Sequence, residues 1–414
     1  MWIMKCLVRF LIIGLVYLLV LSTIVFPVNC ITSLGNFSND TITSSGNIYY
    51  VGGTGPNNYT KIQDAIDNTS DGDTVFVYSG IYYENIMINT SIDLIGEDMY
   101  STIIDGQNKN MFDTVYIIAH GVTMNGFTIQ NSGKIANGPN LGPDAGIDIR
   151  TDDNIITGNR IINNYAGIFF RTSYNNVVSH NIISENDRSG ISLSDWTSDN
   201  VISENTITEN EGDGISAGGL FENYNNDIIY NQISYNEVDG IYLADSHHYL
   251  ISDNMIFGNR YHGICLISGA SNHNIIGNNI SFNTWGIRFL GSDCNDSYIS
   301  GNSITENYYG VWIAESSNND ISNNEIAYNV NIGLFLLPFS YNNSICQNNF
   351  INNSPNCFFW GSKGNYWNEN YWGRFRIMPK LIFGVENILE WLSYYILVPR
   401  IAFDMNPAHY PYEI

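Results

Sequence analysis

A six-residue pattern, Asn-x-[Ile/Phe]-x-x-Asn, occurs nine times between Asn159 and Asn353, at spacings of 22, 24, 26, 23, 24, 24, 22 and 24 residues. Near-constant periods of this length mark structures built by stacking, so this repeat limits the possible folds more than any other feature. A glycine followed by alternating apolar residues runs in phase with it, as in Gly167-Ile-Phe-Phe170, Gly190-Ile-Ser-Leu193, Gly240-Ile-Tyr-Leu243 and Gly310-Val-Trp-Ile313. Three residues before each hexamer stands another aliphatic, from Ile156 to Ile345. Each repeat thus holds three short segments of strand-like alternation separated by Asn- and Gly-rich corners. No useful 3.6-residue apolar period appears between residues 140 and 360. A unit of ~23 residues cannot bury its own apolar side, so the units must stack. The pattern predicts an all-β chain: a parallel β-helix with three strands per coil and about twelve coils, neighbouring strands ~4.8 Å apart.

Asparagine supplies 59 of the 414 residues. It is a poor helix former that suits turns, and asparagines stacked at one corner can bond amide to amide along the axis. The repeat domain is expected over residues 46–362. At its start, Thr60-Lys-Ile-Gln63 reads as a capping box opening a short helix through Ile66, which would close the first coil. After residue 362 the character changes. An apolar stretch from Leu381 to Val398 contains Glu386 and Glu390, one helical turn apart, which argues against a membrane span there. A helical or irregular cap is expected over 363–414.

At the other end, Lys5 and Arg9 precede an apolar run from Phe10 to Val28. Residues 1–30 therefore read as a secretory leader or an uncleaved anchor, followed by a linker over 31–45. The protein is expected outside the cytoplasm, extracellular or on the cell surface, with membrane contact only through this segment. The formal charge of −24, with no lysine between Lys134 and Lys363, excludes a nucleic-acid binder. Four cysteines lie beyond the leader: Cys265, Cys294, Cys346 and Cys357. An oxidising compartment permits disulfides, but four cysteines allow three pairings and the sequence does not choose.

Two columns carry the candidate chemistry. The residue before each repeat glycine reads Asp213, Asp239, His262, Trp285, Tyr309 in consecutive coils. Carboxylates about one coil apart approach the ~5–5.5 Å separation of a retaining glycosidase. Asp213, Asp239 and His262 are thus the catalytic candidates, and Trp285 and Tyr309 the sugar-stacking ones. The alternative is that acids and aromatics fill a solvent-facing corner of variable length. The outward position two residues after each glycine includes Ser192, Ser216, Tyr242, Cys265, Arg288, Trp312 and Phe335. Tyr242 and Trp312 there are further ligand-binding candidates, because several large aromatics on an outer face exceed what a monomer needs. Arg150 and Arg171 occupy equivalent positions and suit either a uronate clamp or acid partners such as Asp148. For copper, Cys, Met and His should cluster. Only His247 and His248 are adjacent, and neighbours on a strand point to opposite faces, so no metal site is expected. Calcium would bind through Asp and Glu oxygens, but no regular calcium motif occurs.

The repeats resemble the right-handed parallel β-helix repeats of the pectin-lyase-like superfamily. The entry Ile62-Gln-Asp-Ala-Ile66…Gly72-Asp-Thr-Val75…Gly80-Ile-Tyr82 is similar to the first coil of its NosD-like branch, especially secreted archaeal members. The tail Asn365-Tyr-Trp367…Pro411-Tyr412 is similar to the way such proteins end. The resemblance implies a right-handed helix and, by the branch's name, a periplasmic role in supplying copper to a reductase. Other relatives are surface proteins, and others cleave or bind polysaccharides. The expected function is a non-catalytic exported binding or structural protein contacting glycans or envelope components. A polysaccharide hydrolase or lyase and a copper-delivery accessory are the alternatives.

Overall fold

The computed structural model describes residues 46–136, 142–374, 376, 378–387 and 397–414. The leader or anchor, the linker and Glu390 lie outside the described residues. Three parallel sheets wind into one right-handed β-helix, the hand that parallel crossovers take. Sheet 1 has 14 strands, from Ile48–Val51 to Tyr366–Asn368. Sheet 2 also has 14, starting at Ile86–Ile88, and sheet 3 has 12, from Gly80–Tyr82 to Asn349–Ile351. The twelve strands of sheet 3 match the expected twelve coils, and sheet 1 extends the shaft by one further strand at each end, Ile48–Val51 and Tyr366–Asn368. No helix of the described residues is long and apolar enough to cross a membrane.

The interior is aliphatic throughout. Ile156, Val178, Ile202 and Ile228 stack in sheet 1, Ile161, Ile183 and Ile207 in sheet 3, and Ile168, Ile191 and Ile215 in sheet 2, all fully buried. The repeat glycines form one column in which backbones nearly touch. A Cβ on Gly190 would lie 2.8 Å from the Gly214 carbonyl oxygen and 2.7 Å from Ile207 Cγ2, so only glycine fits.

Asparagine ladders run along the corners. Asn159, Asn181, Asn205 and Asn231 each donate their amide Nδ2 to the next Oδ1, at 3.0–3.3 Å for the series through Asn254. The same Oδ1 atoms accept the preceding asparagine's backbone N–H. A second ladder continues from Asn164 through Asn186 and Asn210. The left-handed residue at these corners is the one before each asparagine, for example Glu185, Glu209 and Tyr235 at φ 57, 56 and 55. Each such conformation costs roughly 1–2 kcal/mol, which the amide bonds of the buried asparagine offset. A third ladder, absent from the hexamer pattern, links Asn154, Asn176, Asn200 and Asn226. Tyr249, His273 and Ser297 replace asparagine in its middle.

Both ends differ from expectation. The helix Ile62–Ile66 is present, with Ile62, Ala65 and Ile66 buried, but its N-cap is Lys61 with no side-chain capping bond. Glu84 caps it instead, accepting the N–H groups of Ile62 and Gln63 at 2.8 and 3.0 Å. Its carboxylate satisfies two free donors at once. The C-terminal cap is a β-hairpin, Lys380–Asn387 with Leu397–Asp404, which extends sheet 2. The open edge of sheet 2 offers this segment backbone partners, which decides against helix. Asp404 is fully buried and ends the Asn348–Asn370 ladder, accepting from Asn370 N–H at 3.0 Å and Trp372 Nε1 at 2.9 Å.

Candidate functional site

The outer face of sheet 2 holds both candidate columns. Strands His262–Ile267, Trp285–Leu290 and Tyr309–Ala314 pair in register, placing His262 beside Trp285 and Trp285 beside Tyr309. The parallel column reads Ser192, Ser216, Tyr242, Cys265, Arg288, Trp312, also in register. All seven sequence candidates are therefore brought to one face.

Their hydrogen bonds form a chain. Asp213 Oδ1 accepts the Asp239 N–H at 3.1 Å, so this carboxylate acts as a ladder rung. Asp239 Oδ1 accepts both the N–H and the Nδ1–H of His262, at 3.0 and 2.6 Å. His262 Nε2 accepts from Arg288 Nη1 at 2.9 Å. Because a guanidinium can only donate, His262 is held as the neutral Nδ1–H tautomer. Burial, then the charge of Asp239, push the Asp213 carboxyl up to about 7. The Trp285 indole lies between His262, at 4.9 Å and 32°, and Tyr309, at 5.7 Å and 12°. Its two ring faces are therefore occupied within its own column, unlike the open platform the sequence suggested. Trp312 stands edge-on to both, at 89° and 80°. The Trp285 Nε1 and Arg288 Nε donors are buried without a partner, an unmet polar demand that proteins rarely tolerate.

Beyond this cluster Ser192 and Ser216 follow Phe169 on the same face, their hydroxyls 3.1 Å apart. Asp213 lies on one flank. On the other, past strands Ile191–Ser194 and Ile215–Gly218, Trp196 and Phe221 stack at 3.9 Å and 21° while 48% and 42% exposed. Asp195 braces this corner, accepting the Leu220 N–H at 2.7 Å and pairing with Arg171 at 3.1 Å. Sequence reasoning passed over Trp196 and Phe221. The signal was the lengthened repeat there, the 26-residue spacing between Asn205 and Asn231. Arg150 is held by Asp148 through two bonds of 2.6 and 2.7 Å, the structural alternative for that residue. All four cysteines of the shaft are free.

Asp239, His262 and Cys265 offer three ligand atoms within 4.8 Å of one another, a grouping the sequence did not reveal. The trio does not fit a resident copper ion. One imidazole nitrogen carries the proton given to Asp239, the other receives a guanidinium, and burial, then Asp239, raise the Cys265 thiol. A soft cation needs a free lone pair and a thiolate, and Arg288 opposes any added positive charge. His247 and His248 sit at a corner, His247 bonded to Ser271 Oγ at 2.8 Å and stacked on Tyr224. Among the described residues no cluster of three or more carboxylates of the kind calcium needs is found.

The fold and this laterally exposed face define a protein of the parallel β-helix class. The family described as periplasmic copper-binding protein (NosD) matches residues 66–239 and 216–376, about three quarters of the chain, and the chain belongs to that family. No match emerges among the curated proteins. Among solved structures the chain is similar to the A-module of mannuronan C-5 epimerase AlgE6 from Azotobacter vinelandii, with TM-score 0.52 and 17% identity over 75% of this chain and 88% of that one. It is similar to a DFA-IIIase from Arthrobacter chlorophenolicus A6, with TM-score 0.55 and 12% identity over 80% and 95%. A surface adhesin of Streptococcus pneumoniae, PfbA, aligns with TM-score 0.54 and 13% identity over 84% and 95%. At these identities the likeness concerns the fold alone.

Proposed function

We propose that this protein is an exported, non-catalytic glycan-binding β-helix that seats a neutral saccharide chain on the outer face of sheet 2. The observation that carries this reading is the exposed Trp196–Phe221 stack beside the Ser192–Ser216 hydroxyls. An apolar ring platform next to hydroxyl partners matches the two kinds of surface a sugar presents. Binding without turnover is favoured because both candidate carboxylates already serve as acceptors for backbone N–H groups of the next coil. The charge of −24 would repel a polyuronate, which points to a neutral chain. Membership of a periplasmic family supports a place in the envelope or outside the cell.

A glycan array carrying neutral and uronate chains, followed by calorimetry, tests the proposal. Neutral glycans are retained, and Trp196→Ala combined with Phe221→Ala weakens binding about tenfold or more. Neither new reducing ends nor unsaturated products form during prolonged incubation. Product formation, or affinity unchanged in the double variant, defeats the proposal.

A further inference from the structure

The C-terminal hairpin presents an apolar surface that none of the described residues covers. Leu381 lies opposite Phe403, and Phe383 opposite Ile401. These four and Leu397 are 41–59% exposed, while the alternating residues Ile382 and Asp404 are buried against the last coil. The end unit of a solenoid ordinarily shows a polar outer face. Five large apolar side chains in one block are instead the mark of an interaction surface.

Positive charge gathers at the root of the same hairpin. Arg374 and Arg376 precede the strand that Lys380 begins. The three are close enough to disturb one another: burial and then Arg374 lower the Arg376 pKa, and burial followed by Arg376 lower that of Lys380. Lys380 shares the inward face with Ile382 and lies over the Trp372 ring at 5.6 Å, whereas among the described residues no ion pair holds Arg374 or Arg376, and Arg376 Nε is buried without a partner. Lys363 and Arg400 differ, both being tied to Glu386 at 2.7 and 2.6 Å. Unopposed cations are out of character for a chain of net charge −24.

We propose that this end of the shaft docks on an anionic lipid surface. The outer hairpin face enters the boundary between headgroups and acyl chains, while Arg374 and Arg376 meet lipid phosphates. Apolar surface edged by cations is the complement of an anionic amphiphile. A second copy would set two unopposed cations against two more, and a neutral glycan would leave them unpaired. The contact is additional to any made by the N-terminal segment, and it does not depend on the glycan reading.

Hydrogen exchange of the full chain with phosphatidylglycerol and with phosphatidylcholine vesicles tests this. The N-terminal segment would hold the chain on either lipid, so the result is read from the amides of 380–387 and 397–404. They become protected on phosphatidylglycerol, little on phosphatidylcholine, and less as salt is raised. Replacing the cations with Arg374→Gln and Arg376→Gln raises the phosphatidylglycerol needed about 25-fold, about fivefold per charge. Phe383→Ser with Ile401→Ser abolishes the protection while sheet 1 amides stay protected, showing that the shaft remains folded. Hairpin amides unprotected on phosphatidylglycerol, or equally protected on both lipids, overturn the proposal. Protection that appears without vesicles and grows with protein concentration overturns it in favour of a second copy.

Discussion

At Asp213 a carboxylate does what an asparagine amide does elsewhere in the shaft, accepting a backbone N–H from the following coil. The substitution has a consequence for pH. Burial and the neighbouring Asp239 raise its folded-state pKa to about 7 from an ordinary 3.8. Between about pH 4 and pH 7 the folded chain keeps a proton that the unfolded chain releases, so stability contributed by the protonated form is full below that window. It is lost as pH rises to about 7 and then levels off. Asp213→Asn keeps the accepting oxygen and removes the titration. Urea unfolding should show the variant close to wild type at pH 4 and more stable at pH 8. The gain is on the order of 1–2 kcal/mol, allowing for water reaching this half-buried group. A variant less stable than wild type at pH 8 would mean that the ionised carboxylate is favourable where it sits.

The element that sets the character of the shaft is the buried amide ladder rather than any single strand. Strands of three residues pair weakly on their own, and their corners hold residues in left-handed conformations. Asn278 shows what each rung does. Its Nδ2 donates to Ile251 O at 2.8 Å and Asn302 Oδ1 at 2.9 Å, and its Oδ1 accepts from Asn254 N–H and Nδ2 at 3.0 and 2.9 Å. Asn278→Ala leaves several buried groups without partners and should cost about 3–4 kcal/mol by denaturant unfolding. Asn225→Ala, one residue before a ladder position and left-handed at φ 52, should cost only about 1 kcal/mol. Equal losses at the two positions would deny the ladder its role. The third ladder tolerates Tyr249, His273 and Ser297 because hydroxyl and ring nitrogen still bond along the axis. Burial there pulls His273 down to about 3, so it stays neutral.

On the scale of the whole molecule, a shaft of fourteen coils is roughly 60 Å long at the strand spacing. Polar chemistry is excluded from its aliphatic interior, so function falls on outer faces and on the two ends. The ends are also where the cell would hold such a molecule. Lys5, Arg9 and the apolar run behind them place export within the proposed function. Amino-terminal sequencing of the native protein distinguishes its forms: a start near residue 30 means a released shaft, and a start at residue 1 in the membrane fraction means a tether through residues 7–28. Recovery of the protein in the cytoplasm would reject export and, with it, the envelope glycan.

The amino-acid sequence by itself determined whatever repeats. The coil period, the inward aliphatic positions, the glycine column and two of the three asparagine ladders follow from a pattern reinforced nine times. The same regularity put Asp213, Asp239, His262, Trp285 and Tyr309 on one face, because residues in phase must fall in one column. Tertiary structure decided what happens once. The hairpin cap formed because an open sheet edge was available to pair with, while the local apolar run also suited a helix. Glu84 caps a helix 22 residues away, and Phe221 reaches Trp196 through a lengthened corner where the phase is lost. Whether the acids were chemically free was likewise beyond the pattern, since the column fixes where Asp239 is but not that His262 and Arg288 occupy its neighbourhood. A periodic contact is written many times along the chain and survives local ambiguity. A singular contact depends on side-chain direction and burial, which exist only once the coils are stacked.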